Sequence, residues 1–319
     1  MAKALIFPGQ GSQKVGMASA LISGFPSGKR VMEEVEEAIS FNLSNLIDKG
    51  PIQELTKTEY AQPAIFAVGM MCVTILKEEF GYDLKKFKYL AGHSLGEYTA
   101  LCAAGVISIS DGVKLVKIRG DLMSEVSSDG GDYKMVALVG VGAEDIEPIL
   151  AKYVVSPEVC VIANDNSPTQ VVISGHTKAI LKIISKAKKK MSTIKAITLN
   201  TSGPFHSPIM GKIAIKFDQI LQKHRWNKPE IPVIMNATAR PVENKLEISL
   251  HLLSQMLGRV RWREIIEFLL NDPNITEIVE IAPGKVLSTM VKRSYPDTSV
   301  SNIETITQIE EFISKRGTE

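Results

Sequence analysis

The sequence predicts an α/β protein built on a mostly parallel sheet, into which a smaller β-α-β-β-α-β domain is inserted. Three observations carry this. Short apolar runs such as Ala4 to Phe7 and Tyr89-Leu90-Ala91 alternate with amphipathic helical stretches, the pattern of a sheet covered by helices. The segment Gly92-His93-Ser94-Leu95-Gly96 places a serine between two glycines where a strand runs into a helix, which is the G-x-S-x-G nucleophile elbow and makes the core α/β-hydrolase-like. A polar, glycine-containing stretch, Ser127 to Asp132, then separates this core from a segment with its own strand and helix order.

Composition bounds the function. A chain of 319 residues can bury a large core. With 45 % hydrophobic and 23 % charged residues it reads as an ordinary globular protein. A net charge of +2 gives no general attraction to nucleic acid or to an anionic membrane. Cys72, Cys102 and Cys160 lie far apart without CxxC spacing, so neither a zinc site nor a redox motif is expected. The apolar run from Met1 to Phe7 is too short for a signal peptide, and Pro63 to Leu76 is short of a membrane span. A cytoplasmic location is expected.

In chain order, Ala4 to Phe7 is the first buried strand, closed by Pro8-Gly9-Gln10-Gly11-Ser12-Gln13. Lys14 stands where a dinucleotide fingerprint needs its third glycine, and no Gly-Lys-Ser/Thr follows. The loop is therefore read as backbone passing close to something, with a free N–H to offer. Lys29 to Ile39 and Ile52 to Leu55 read as helices. Gln62-Pro63 is read as the start of a core helix, apolar nearly all round and closed by Gly81. At the elbow, Gly92 and Gly96 let strand and helix approach, and Ser94 is set at a helix N-terminus whose unpaired N–H groups favour negative charge. Asp111 to Met123 forms the next helix. Arg119 lies on its apolar face among Leu115, Val116, Leu122 and Met123, with no acid three or four residues away. A buried guanidinium needs a partner from elsewhere. Either it pairs with a distant carboxylate of the chain or snorkels its head to solvent over a packed stem, or it grips the carboxylate of a substrate bidentately.

From Lys134 the order runs strand, helix (Glu144 to Lys152), strand (Val159 to Ala163), turn (Asn164 to Thr169), strand (Gln170 to Ser174), helix (His176 to Lys190) and strand (Lys195 to Leu199). This is the ferredoxin-like unit. The expected division is a catalytic domain of residues 1–126 and 201–319 with a small domain of residues 127–200. Lys178, Lys182, Lys186, Lys188, Lys189 and Lys190 line one face of its last helix, either a solvated surface or a dock for an acidic partner. Ser202-Gly203-Pro204-Phe205-His206-Ser207-Pro208 follows, a loop stiffened by two prolines around one histidine. A positioned imidazole is what a serine nucleophile requires. His176, His224 and His251 compete less well, and His93 should point away from Ser94. Ile231 to Asn236, Ile248 to Leu257, Val260 to Asn271 and Glu277 to Ile281 restore the core pattern, with a last helix after Pro283-Gly284. Gln255 and Asn236 taken alone are unremarkable.

These residues together resemble the malonyl-CoA:acyl-carrier-protein transacylases and the related acyltransferase domains of polyketide synthases. The matching pieces are Phe7 to Gln13, Gln62-Pro63-Ala64, Gly92 to Tyr98, Arg119-Gly120, Asn166-Ser167-Pro168, Val172 to Gly175, Pro204 to Met210, Gln255 and Pro283 to Leu287. They span nearly the whole chain in order. The resemblance implies that Ser94 carries the acyl group and that His206 is its base and acid. It implies an oxyanion hole from the main-chain N–H groups of Gln10 and Leu95, a grip on the malonyl carboxylate by Arg119, and orientation of His206 by the backbone carbonyl of Gln255. Phe205 resembles the malonyl-selective form of its loop. Gly258-Arg259 stands where many members have a proline, and Ala282 replaces a usual glycine. The implied activity is transfer of malonyl from malonyl-CoA to the phosphopantetheine thiol of acyl carrier protein, by a monomer, with no metal or other cofactor. The rival readings are a serine esterase or thioesterase, for which Arg119 has no use, and a non-catalytic carrier-docking module, for which Ser94 and His206 have none.

Overall fold

The computed structural model describes residues 2–201, 203–281 and 283–314; Met1, Ser202 and Ala282 lie outside them. Among the described residues ten strands form two sheets: β1 (Ala2–Phe7), β2 (Phe87–Gly92), β3 (Tyr133–Val139), β4 (Cys160–Ser167), β5 (Gln170–His176), β6 (Lys195–Thr198), β7 (Val233–Met235), β8 (Arg240–Pro241), β9 (Ile275–Ile281) and β10 (Val300–Ile303). The large sheet has the order β10-β9-β1-β2-β7-β8 and is parallel throughout except for the short β7/β8 edge pair.

Side chains of the central strand alternate between two cores, as the two-residue period of a strand demands. Leu5 and Phe7 face the helices Pro26–Ile39, Thr58–Glu78 and Ile109–Ser127. Ala4 and Ile6 face Trp262–Leu270 and Val286–Ser294, packing with Trp262, Ile266, Leu287 and Val291.

The small sheet is antiparallel with the order β4-β5-β3-β6. With the helices Ala143–Tyr153 and Thr177–Lys190 it makes the βαββαβ arrangement expected. Met135, Ala137 and Val172 point to the main body, while Val136, Leu138 and Ile173 carry the two helices on the other face. The lysine-bearing helix thus sits behind the small sheet, away from the main body.

Three expectations change. The core helix begins at Thr58, so Pro63 lies inside it rather than at its first position; Tyr60 and Ala61 already donate to the Lys57 carbonyl. At 21 residues this helix is long and apolar enough to cross a membrane, longer than the apolar run suggested. Nearly all of it is buried against protein instead. The expected turn at Asn164 to Thr169 is mostly strand: β4 runs on through Ser167. Its polar residues are held from the main body, with Asp165 paired to Arg263 and Val260 bridged to Asn164. The helices Ser19–Gly24, Leu43–Lys49 and Gly211–Lys223, strands β8 and β10 and the helix Ile306–Ser314 were not expected.

Candidate active site

β2 ends at Gly92 and the helix Gly96–Ala103 begins four residues later. Ser94 occupies the corner with φ of +51°, in the left-handed region, where a non-glycine residue is strained. The flanking glycines are obligatory on distance. A Cβ on Gly92 would meet the Gly96 carbonyl at 1.9 Å, and one on Gly96 would meet the Phe7 oxygen at 2.2 Å. The loop after β1 closes on the same corner, because a Cβ on Gly9 would lie 2.6 Å from the His93 oxygen. Backbone does pass close to something there, and the something is the elbow. Gln10 is tied down by its side-chain amide, which donates to the Thr58 hydroxyl at 3.2 Å.

The prolines at 204 and 208 frame His206, which also has positive φ, +56°. Ser207 secures the loop by donating to the Pro204 carbonyl at 2.6 Å. His206 Nε2 lies 2.8 Å from Ser94 Oγ, and His206 Nδ1 lies 2.7 Å from the backbone oxygen of Gln255. A carbonyl can only accept, so Nδ1 carries the proton and Nε2 is left to accept the serine hydrogen. Burial, and then the positive charge of Arg119, push the His206 pKa down to about 3. The imidazole is neutral across the working range of a neutral-pH enzyme.

Arg119 is buried at 1 % exposure. Among the described residues it pairs with no acid: Nη1 donates to Gln62 Oε1 at 2.8 Å, and Nη2 donates to Gln255 Oε1 at 3.0 Å and to Ser94 Oγ at 3.1 Å. The guanidinium also lies 5.5 Å from the centre of the Tyr98 ring. Gln255 serves three neighbours at once, since its amide nitrogen donates to the Ser94 carbonyl at 2.9 Å as well.

Ser94, His206 and Arg119 open into one cleft of about 230 Å³ with Gln10, Leu95, Met123 and Phe205 in its walls. Leu95 is the N-cap position of the Gly96–Ala103 helix, one of the places where a helix leaves an N–H unpaired. Ser94, His206, Gln10, Leu95 and Arg119 therefore meet at one cleft, with Gln255 bonded to three of them from beside it, while the lysine face of the small domain lies elsewhere. His93, expected to point away from Ser94, pairs instead with Asn166, Nε2 to Oδ1 at 2.8 Å, with its ring edge on Trp262, yet both His93 and Asn166 stay in the wall of the same cleft. Gln62, Asn236 and Glu97, and the side-chain role of Gln255, were not foreseen. Only the position of Gln62 one helix away from an unpaired arginine offered a signal.

A nucleophile with a neutral base on one side and an uncompensated cation on the other can take up an acyl group that ends in a carboxylate. The chain matches the family model described as acyl transferase domain over residues 4–316. It is 38 % identical over 306 residues to the malonyl CoA-acyl carrier protein transacylase of Bacillus subtilis strain 168, covering 95 % of this chain and 94 % of that one. The crystal structure of acyl-carrier-protein-S-malonyltransferase from Bartonella henselae superposes with a TM-score of 0.93 at 38 % identity, covering 99 % of this chain and all of that one. A malonyl-transacylase solved in complex with its type II polyketide synthase acyl carrier protein gives 0.92 at 30 % identity, over 99 % of this chain and all of that one.

Proposed function

This chain belongs to the acyl transferase family, among the malonyl-CoA:acyl-carrier-protein transacylases, and we propose that it moves malonyl from coenzyme A to a carrier thiol through an ester on Ser94. The observation that carries this reading is the Ser94 hydroxyl oxygen, set 2.8 Å from the His206 base and 3.1 Å from the Arg119 guanidinium. A malonyl group on that oxygen bears its free carboxylate two carbons from the ester carbonyl, within reach of the guanidinium.

Ser94 Oγ attacks the thioester carbonyl while its proton passes to His206 Nε2. The oxyanion is held by the main-chain N–H groups of Gln10 and Leu95, each worth about 3 kcal/mol of barrier, with the N-terminal end of the Gly96–Ala103 helix adding its positive field. The tetrahedral adduct collapses, the C–S bond breaks, and the coenzyme A sulfur leaves with the proton from His206. The phosphopantetheine thiol of the carrier then gives its proton to His206 and attacks the ester, and the Ser94 oxygen departs by recovering that proton. While malonyl is bound its carboxylate offsets the charge of Arg119, which after burial is the larger of the remaining causes depressing His206. The base thus strengthens when the correct substrate is seated. No metal or redox group enters these steps. The enzyme is read as a cytoplasmic monomer that binds neither nucleic acid nor membrane, which analytical ultracentrifugation and cell fractionation test.

Intact-protein mass spectrometry after mixing with malonyl-CoA alone should show one malonyl group on the wild type and none on Ser94→Ala. An adduct on the Ala variant would remove Ser94 as nucleophile, and rapid release of free malonate would favour a thioesterase.

A further inference from the structure

We infer that Asn236 is a positioning residue for acyl transfer, its side-chain amide clamping the strained nucleophile turn and the Glu97 carboxyl group fixing Asn236 in turn. Asn236 Oδ1 accepts from the Ser94 N–H at 2.7 Å, and its Nδ2 donates to the Gly92 carbonyl at 2.7 Å. One amide therefore grips the corner on both sides of His93. The Asn236 N–H donates to the Glu97 carboxyl group, and its carbonyl accepts from the Arg261 N–H at 3.1 Å.

The sheet explains how Asn236 comes to be there. Strand β7 pairs with β2 so that Ala91 is level with Ile234, which brings the second residue past Ile234 beside the elbow. Glu97 lies on the first turn of the helix that Ser94 opens. The links close a ring from β2 through Asn236 and Glu97 to the nucleophile's own helix and back to Ser94. Both side chains are fully buried, at 0 % exposure, and neither lines the cleft, so they act through Ser94 and not on substrate.

The consequence is twofold. A serine in the left-handed region persists only where its surroundings over-determine it, and this amide supplies that constraint from a different part of the chain. By taking the Ser94 N–H, it also keeps that donor out of the cleft and leaves the next N–H, of Leu95, to face the developing oxyanion. Burial raises Glu97 to about 8, so its carboxyl group stays largely uncharged within the ring at neutral pH.

The inference rests on Ser94 being the nucleophile, and its test separates the two. Single-turnover acylation by malonyl-CoA gives a burst amplitude, which counts competent sites, and a rate per competent site. Asn236→Ala should lower that rate about 100-fold, with KM for malonyl-CoA within about threefold of wild type. Reaction with phenylmethylsulfonyl fluoride, which makes no use of Arg119, should slow in parallel. Asn236→Asp keeps the acceptor for the Ser94 N–H and loses the donor to Gly92, so its rate should fall between the two, and it carries the test if the Ala variant does not fold. A reduced amplitude with the rate per site within about twofold of wild type in both variants would mean that Asn236 only stabilises the fold, and would overturn the inference while leaving the Ser94 adduct intact. Absence of the adduct from the wild type would instead sink the nucleophile assignment.

Discussion

Arg119 Nη2 donates to the Ser94 hydroxyl oxygen at 3.1 Å, so the cation proposed to grip the acyl group's carboxylate touches the atom proposed to carry that group. The guanidinium is buried, and its hydrogen bonds run to the neutral oxygens of Gln62, Gln255 and Ser94. Holding a charge this way, without a carboxylate, leaves its strongest interaction for the substrate.

Replacing Arg119 should therefore change selectivity more than it changes chemistry. A charge-assisted hydrogen bond to a carboxylate is worth about 1.5–3 kcal/mol. Arg119→Gln should then lower kcat/KM for malonyl-CoA by about 10- to 150-fold, while acetyl-CoA reacts as well as before or better. Steady-state kinetics with the two thioesters measure the ratio. An unchanged malonyl preference would remove Arg119 as the carboxylate grip.

The acid limb of the acylation rate should lie far below neutrality in the wild type, because His206 is depressed to about 3 by burial and by Arg119. In Arg119→Gln the larger Coulombic cause disappears and the limb should move to higher pH. The same shift bears on stability. A histidine whose folded pKa is below its unfolded value of about 6.5 contributes fully above that value, and its contribution is lost as pH falls from about 6.5 toward 3. Pre-steady-state acylation across pH, in both proteins, tests the direction. A limb that stays in place would mean that the guanidinium charge is not felt at the imidazole.

Much of this was legible in the sequence, for identifiable reasons. The elbow, the rigid histidine loop and the arginine on an apolar helix face are each written in a few consecutive residues. The β-α-β-β-α-β order was likewise readable, because each element has its own period and breaker. Long-range polar contacts left no such mark. Asn236 follows a three-residue strand, and nothing local shows that its amide will span Gly92 and Ser94. Asp165 and Asn166 looked like turn residues because their type favours turns. Tertiary partners, Arg263 and His93, kept them in a strand instead.

Gln255 separates a main-chain role from a side-chain role. Gln255→Ala keeps the carbonyl that accepts from His206 Nδ1, so the tautomer and the general base should survive. It loses the amide that accepts from Arg119 and donates to the Ser94 carbonyl. The guanidinium gains freedom that the substrate must then remove. The expected result is a fall of about tenfold in kcat/KM for malonyl-CoA with a smaller loss for acetyl-CoA. Equal losses on both substrates would place the side chain's effect on Ser94 and not on Arg119.

Glu97 provides a prediction in stability. Its folded pKa is raised to about 8, above all by burial, while the unfolded value is near 4.5. The unfolded chain therefore releases this proton first as pH rises. The favourable contribution of the neutral carboxyl is complete below about 4.5, declines as pH climbs to about 8, and is then flat. Glu97→Gln cannot ionise, yet offers the Asn236 N–H an oxygen of similar placement. Chemical denaturation at several pH values should show the wild type losing stability relative to this variant between about pH 5 and 8, by on the order of a few kcal/mol. Parallel curves for the two proteins would mean that Glu97 is ionised in the folded chain. Its negative charge would then offset Arg119 in the free enzyme, contrary to the picture of a cation reserved for the incoming carboxylate.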